Sequence, residues 1–73
     1  TTLQEAAADL GLGPVSYEIT STGPDHAMIF TATARLGDNG WGSGDGSSKK
    51  SAEAAAAEVA VKAIRTLYPD YQR

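Results

Sequence analysis

The sequence predicts an α+β domain with the element order α-β-β-β-α, in which both helices pack on one face of a three-stranded antiparallel sheet. Apolar residues recur at helical spacing near the start of the chain and again, more strongly, in its alanine-rich last third. Between these segments, two stretches alternate apolar and polar residues, as half-buried strands do. Each element therefore has one apolar face, and a helical layer on one side of a sheet buries all of these faces together.

Length and composition restrict the possible functions. The chain has 73 residues, enough for one small domain that buries only about 60% of its unfolded surface, so we do not expect an enzyme cleft. We predict a domain over residues 1–67 and a partly ordered tail over residues 68–73. The absence of cysteine excludes disulfides and thiolate metal sites and is compatible with a reducing cytoplasm, the predicted location. No apolar stretch is long enough to span a bilayer, so we expect no membrane partner.

The first helix is predicted over residues 1–10, where Thr1 or Thr2 can cap it and Gly11 and Gly13 end it. Its apolar face is formed by Leu3, Ala6, Ala7 and Leu10. The opposite face carries small polar groups, including Gln4 and Glu5, which are ordinary for a solvated helix surface.

Two strands are predicted next, over residues 14–22 and 28–36, and they form a hairpin. Gly23 and Pro24 mark its turn, and the tip presents Asp25 and His26. His26 is the only histidine, and neither a serine elbow nor a cysteine nucleophile is available to partner it. We therefore interpret it as a solvent-exposed hydrogen-bonding group rather than a catalytic one.

A tight turn is predicted at residues 37–40, where the Asn-Gly pair favours positive φ. A short third strand around Trp41 follows, with Trp41 partly buried, and then a glycine-rich loop. The last helix is predicted over residues 48–67. Its core positions are Ala52, Ala56, Ala60 and Ile64, and Pro69 ends it.

The glycine-rich loop and the start of the last helix, G-S-G-D-G-S-S-K-K-S-A-E over residues 42–53, contain an unfavourable charge placement. Lys49 and Lys50 lie in the first turn, where the helix dipole favours anions. A bound phosphate would remove this conflict, since backbone N–H groups, both ammonium groups and the hydroxyls of Ser47 and Ser48 could converge on it. The alternative is an ordinary loop whose lysines only aid solubility. The P-loop and dinucleotide fingerprints both fail, because serines occupy required glycine positions.

Three landmarks together, T-L-Q-E at residues 2–5, G-P-D-H-A-M-I-F-T-A at residues 23–32 and the segment over residues 42–53, resemble the double-stranded-RNA-binding domain. The resemblance covers residues 1 to about 67 and is strongest to the C-terminal domain of bacterial ribonuclease III. It implies that the first helix contacts one minor groove and the hairpin loop the next, while the lysine pair holds phosphates across the intervening major groove. The RNA-binding positions that it implies are Thr1, Gln4, Glu5, Gly23, Pro24, His26, Ser48, Lys49 and Lys50.

Several residues depart from the family pattern and lower the expected affinity. Asp45 adds a negative charge to the predicted phosphate-facing loop. Glu53 stands where many eukaryotic members have a third lysine, although the ribonuclease III type commonly has glutamate there. Small or uncharged residues replace polar or charged ones at Ala8, Ala27 and Met28. The net charge is also −3. We therefore expect RNA binding to be weak and strongly dependent on salt.

The resemblance implies a domain without catalytic residues or cofactor that positions double-stranded RNA for a magnesium-dependent endoribonuclease domain lying N-terminal to it in a longer chain. The carboxylate-rich magnesium motif of such a nuclease is absent here, so we do not expect this segment alone to cleave RNA. Whether the chain counts as an enzyme therefore depends on the parent protein. The alternative is a protein-interaction module that keeps the fold but has lost RNA affinity, which the acidic composition would permit.

Overall fold

The computed structural model describes residues 3–70, and the predicted element order is confirmed. The elements are α1 (Leu3–Leu10), β1 (Val15–Thr22), β2 (Ile29–Leu36), β3 (Asn39–Gly46) and α2 (Lys49–Leu67), with a single 3-10 turn at Asp25–Ala27 between β1 and β2. The predicted cap at Thr1 or Thr2 and the end of the tail lie outside the described residues.

The three strands form one antiparallel sheet in the order β1-β2-β3. The β1–β2 register runs from Val15 opposite Leu36 to Thr22 opposite Ile29, without a shift. This pairing is the predicted hairpin, and it puts the alternating apolar residues of both strands on the side that faces the helices.

The core between the sheet and the helices is built mainly from alanine. Leu36 and Ile64 are its largest fully buried side chains. The predicted inward faces of α1, β2 and α2 are confirmed. Among residues 3–70, the buried side chains are Leu3, Ala6, Ala7, Ala32, Ala34, Leu36, Ala52, Ala56, Ala60 and Ile64. Because these side chains are so small, the helices must lie close to the strands to exclude water.

The prediction of a glycine-rich loop is wrong, since residues 42–46 belong to an eight-residue strand. Gly42, Gly44 and Gly46 pair with Ala34, Ala32 and Phe30 of β2 and therefore share the helix-facing side. Glycine is depleted in strands in general. The inward positions of this strand are glycines, so the sequence shows no alternation of apolar and polar side chains there. The strand forms because its glycines are positions of close contact with α2.

The backbone of α2 approaches these glycines so closely that no side chain would fit. A Cβ atom added at Gly42 would lie 2.7 Å from the backbone nitrogen of Ala60, and one at Gly46 would lie 2.7 Å from that of Ala52. At Gly44, the added atom would collide with the Cβ of Ala55. The glycine-rich strand and the alanine-rich helix are thus complementary surfaces.

The predicted Asn-Gly turn is shifted by two residues. Leu36 pairs with Asn39, so the two-residue connection is Gly37-Asp38, and Gly37 has the positive φ of +63°. Glycine at the first central position of a two-residue hairpin satisfies the twist of the flanking strands. Asn39 and Gly40 have joined β3 instead.

A β-bulge at Trp41 shifts the register between β2 and β3. Ala34 pairs with Gly42 and Arg35 pairs with Gly40, so Trp41 is the extra residue between them. It is half-buried and packs against the core, as predicted. The bulge adds one large side chain to a face of β3 that otherwise consists of glycine.

Helix α2 ends as predicted, at Leu67, two residues before Pro69. The backbone N–H of Tyr68 donates to the carbonyl of Ile64 at 2.8 Å. Glu58 and Lys62, one turn apart on the outer side of the helix, form an ion pair with a 3.5 Å separation. In the part of the chain that the structure describes, no helix is both long and apolar enough to cross a membrane.

We predict that Gly44→Ala lowers the free energy of unfolding by about 1–3 kcal/mol, because α2 must move away from β3 to accommodate the new methyl group. Gly40→Ala is the matched control on the same strand, since its Cβ would meet only the Thr33 Cγ2 at 3.7 Å. Urea denaturation of both variants measures the difference. Equal stability of the two variants would show that the helix does not contact the strand in this way.

Tyr17 provides a second test of the packing. Burial raises the pKa of its hydroxyl above 10.0, and the carboxylate of Glu53 adds to this effect. The pKa of Tyr17 is higher in the folded than in the unfolded state. The stability that the protonated hydroxyl contributes is therefore complete below pH 10 and is lost as pH rises through the folded pKa. We predict that Tyr17→Phe, which cannot ionise, loses less stability than the native protein between pH 9 and pH 11, measured by urea denaturation. Identical losses would place Tyr17 in solvent.

Candidate nucleic-acid interface

Helix α2 begins with a reciprocal pair of serines. The backbone N–H of Ser51 donates to the Oγ of Ser48 at 3.1 Å, and the backbone N–H of Ser48 donates to the Oγ of Ser51 at 3.1 Å. This is a capping box with serine in place of the usual Glu or Gln. The role of Ser51 as the partner of Ser48 was not predicted, although the Ser-x-x-Ser spacing of residues 48–51 was a signal for it.

The cap leaves the positive end of α2 available to an anion. The carbonyl of Ser48 accepts the first helical bond, from Ala52, so the N–H groups of Lys49 and Lys50 have no acceptor among the described residues. The first turn contains no acidic residue, and both lysine side chains are exposed. Two ammonium groups and two N–H donors therefore occupy one helix end without a compensating negative charge.

The hydroxyl of Ser48 is less available than the sequence suggested. Its Oγ accepts from Ser51 N and donates to Ser51 Oγ at 3.1 Å. A phosphate that took a hydrogen bond from Ser48 would have to replace the second of these bonds. Ser48 therefore acts first as the residue that fixes the helix start. Ser47 is exposed and precedes the cap.

The loop between β1 and β2 has a defined shape. Gly23 has a φ of +97°, and a Cβ there would lie 2.7 Å from the carbonyl oxygen of Ala27. The loop is closed by a 2.8 Å hydrogen bond that the backbone N–H of Ala27 donates to the carbonyl of Pro24. The 3-10 turn between these residues presents the exposed side chains of Asp25 and His26. The predicted turn and tip are confirmed.

The strand register brings the loop and the start of α2 to the same end of the sheet. Thr22 pairs with Ile29 at the loop, and the next residue, Phe30, pairs with Gly46, the last residue of β3. The connection from Gly46 to Lys49 is only two residues long. His26 and the lysine pair thus lie at one end of the molecule, which is 44 Å along its longest axis.

Helix α1 lies away from that end, beside β1 and α2. The buried face of α1 consists of Leu3, Ala6 and Ala7, while Gln4 and Glu5 are on its exposed face. Gln4 lies at the edge of an open groove of about 560 Å³ between α1 and α2. Thr1, the remaining predicted contact on this helix, lies outside the described residues.

Asp45 does not face the phosphate site, so that part of the sequence interpretation is wrong. It alternates with the helix-facing glycines, and its carboxylate accepts a 2.7 Å hydrogen bond from the hydroxyl of Thr31 on the outer face of the sheet. Its negative charge is directed away from α2. The expected reduction in affinity from Asp45 stays a prediction.

Within the described part of the chain, the acidic side chains do not form a metal site. Among residues 3–70, no three His, Asp or Glu side chains are grouped so that they could hold a metal ion. The resemblance implies magnesium in a separate nuclease domain of a longer chain and not in this segment, so that expectation stays a prediction.

Comparison with known proteins supports the resemblance. Residues 1–64 match the family model described as the double-stranded RNA binding motif. The ribonuclease 3 of Nocardia farcinica is 55% identical over 64 residues, which cover 88% of this chain and 27% of that protein. For the ribonuclease 3 of Mycobacterium tuberculosis, the identity is 54% over 67 residues, covering 92% of this chain and 28% of that protein.

The chain is also similar to a solved structure. The first dsRBD of protein HYL1 superimposes with a TM-score of 0.78 at 33% identity, covering 92% of this chain and 96% of the other. The chain spans only about a quarter of the length of its ribonuclease 3 relatives. The family model, by contrast, matches nearly all of this chain, from residue 1 to residue 64. The chain therefore belongs to the double-stranded RNA binding motif family.

Proposed function

We propose that this domain binds double-stranded RNA by its shape and performs no chemistry of its own. In this proposal it is the substrate-binding part of a longer, ribonuclease III-type endoribonuclease. The observation that carries the proposal is the start of α2, where two exposed lysines and two N–H groups without an acceptor among the described residues share the positive end of a 19-residue helix. Phosphates supply the missing negative charge.

The phosphate contacts are assigned to Ser48, Lys49 and Lys50. The lysines bind the backbone as cations, and the cap formed by Ser48 holds the helix end in position. The backbone is the part of the major groove that they can reach, because this groove is deep and narrow in A-form RNA. These contacts depend on charge and carry no sequence information.

The minor-groove contacts are assigned to the two regions that flank the lysines. Gln4 and Glu5 of α1 are exposed and polar, and the same role is proposed for Thr1. The loop of Gly23, Pro24 and His26 would enter the next minor groove along the duplex. The wide minor groove of A-form RNA displays 2′-hydroxyls, which donate and accept hydrogen bonds with such groups. This arrangement distinguishes RNA from DNA.

Cleavage of the bound RNA is assigned to a separate catalytic domain, N-terminal to this one, in the parent chain. The ribonuclease 3 relatives are almost four times as long as the segment they share with this chain, as their 27% and 28% coverage indicates. That length accommodates a further domain. Magnesium would be bound there, and cytoplasmic RNA would be its substrate.

The net charge of −3 favours the alternative of a protein-interaction module only if the negative charges approach the RNA. Asp45 lies on the outer face of the sheet, bonded to Thr31, and Glu18 there is paired with Arg35 at 2.6 Å. The local charge at the start of α2 is therefore more positive than the average. We expect binding that is weak and falls steeply with salt.

We predict that Lys49→Gln/Lys50→Gln lowers the affinity for duplex RNA at least tenfold and reduces the slope of log Kd against log salt by about two, because two phosphate contacts are lost. Folding stability should stay the same or rise, since two cations leave the positive helix end. Fluorescence anisotropy and thermal denaturation measure the two effects.

A matched control separates this local effect from the change in total charge. Ser16→Glu/Ser43→Glu makes the net charge more negative by the same two units, but at exposed positions on the outer face of the sheet. This control should bind RNA almost as well as the native domain. If the lysine variant also binds normally, the assignment of phosphate contacts to Lys49 and Lys50 is refuted. If both variants lose binding equally, the lysines have no specific role.

A further inference from the structure

The groove between α1 and α2 combines an apolar floor with a charged edge. Leu3, Ala57 and Val61 contribute apolar surface, and the basic side chains of Lys62 and Arg65 lie on the α2 side. Gln4 borders the same groove from α1. A residue already assigned to the RNA minor groove thus shares a surface with two cations that have no assigned role.

Arg65 is the more available of the two cations. Lys62 is paired with Glu58 at 3.5 Å, although both side chains are about 70% exposed, so the pair is weak. Arg65 is exposed and has no acidic partner among residues 3–70. Arg35, by comparison, is occupied on the other side of the sheet by Glu18 and by the carbonyl of Asp38.

The position of Arg65 makes it independent of the lysine pair. Sixteen residues of helix separate it from Lys49, a distance of roughly 24 Å at 1.5 Å per residue. The two sites cannot hold the same phosphates. Arg65 instead borders the same protein groove as Gln4. A phosphate bound by Arg65 would therefore lie on the side of the RNA that α1 is proposed to contact.

We propose that Arg65, assisted by Lys62, binds the RNA backbone along the edge of the minor groove contacted by α1, as a fourth contact in addition to α1, the β1–β2 loop and the start of α2. This inference rests on the proposed RNA-binding function. The guanidinium suits the task, because its planar fork can donate two hydrogen bonds to one phosphate. Its alkyl stem can lie over the apolar floor of the groove.

Glu58 opposes this contact. It is on the same edge of the groove and pairs only weakly with Lys62 in the free domain, so its carboxylate mainly repels RNA phosphates that approach this edge. Removing that carboxylate removes the repulsion. Removing the charge of Arg65 and removing the charge of Glu58, about two helical turns apart on one face of α2, should therefore change the affinity in opposite directions. A general weakening of α2 would instead lower the affinity in both variants.

The test titrates five proteins with the same duplex RNA of about 20 base pairs at several salt concentrations: the native domain, Arg65→Gln, Glu58→Gln and two controls. The controls, Arg35→Gln and Glu18→Gln, make the same charge changes in the ion pair on the outer face of the sheet. Arg65→Gln should weaken binding about three- to fivefold and reduce the salt slope by about one. Glu58→Gln should strengthen binding about twofold, and both controls should differ little from the native domain.

The outcomes distinguish this inference from the function on which it rests. If the native domain does not bind duplex RNA at low salt, the proposed function is wrong. If the native domain binds but Arg65→Gln has the same affinity and salt slope, only the fourth contact is refuted. Equal effects of Arg65→Gln and Arg35→Gln would also refute it, since net charge alone would then explain the change. Circular dichroism of each variant verifies that the fold is retained.

Discussion

The close contact between α2 and β3 determines the geometry of the whole domain. Gly42, Gly44 and Gly46 present bare backbone to the helix, and the alanines of α2 meet them without intervening side chains. Because the core is otherwise so small, this contact sets the separation of helix and sheet. It also fixes where α2 begins, since only two residues connect Gly46 to Lys49. Any side chain at the central glycine would move the helix and its lysines together.

The fixed helix start creates an electrostatic conflict that has a functional meaning in the proposed account. Lys49 and Lys50 occupy the positive end of α2, and the Ser48–Ser51 cap satisfies neighbouring N–H groups without adding negative charge. In the free domain this arrangement costs stability. In a complex with RNA, phosphates remove the conflict, so that the same charges contribute more to binding than they would on a neutral surface. The domain thus does not need a basic overall composition to bind a polyanion.

The sequence predicted most of the fold, because its apolar periodicity is strong wherever side chains carry the signal. The helix faces of Leu3, Ala56 and Ile64 and the β1–β2 hairpin are examples. It failed at β3, where alternating glycines have no side chains to reveal a period, and consequently misplaced Asp45 on the phosphate side. It also missed the role of Ser51, since a capping box normally ends in Glu or Gln. The clustering of Gln4 with Arg65 depends on how α1 lies against α2, which local patterns do not determine.

Shape recognition of A-form RNA is the central claim, and a direct comparison of RNA with DNA tests it. The domain is titrated with a duplex RNA of about 20 base pairs, slightly longer than the footprint of about 16 base pairs typical of this family, and with duplex DNA of the same sequence, at two salt concentrations. The account predicts binding to the RNA, much weaker binding to the DNA, and a loss of affinity at the higher salt concentration. Equal affinity for both duplexes would contradict the 2′-hydroxyl contacts, and no binding at low salt would favour the protein-interaction module.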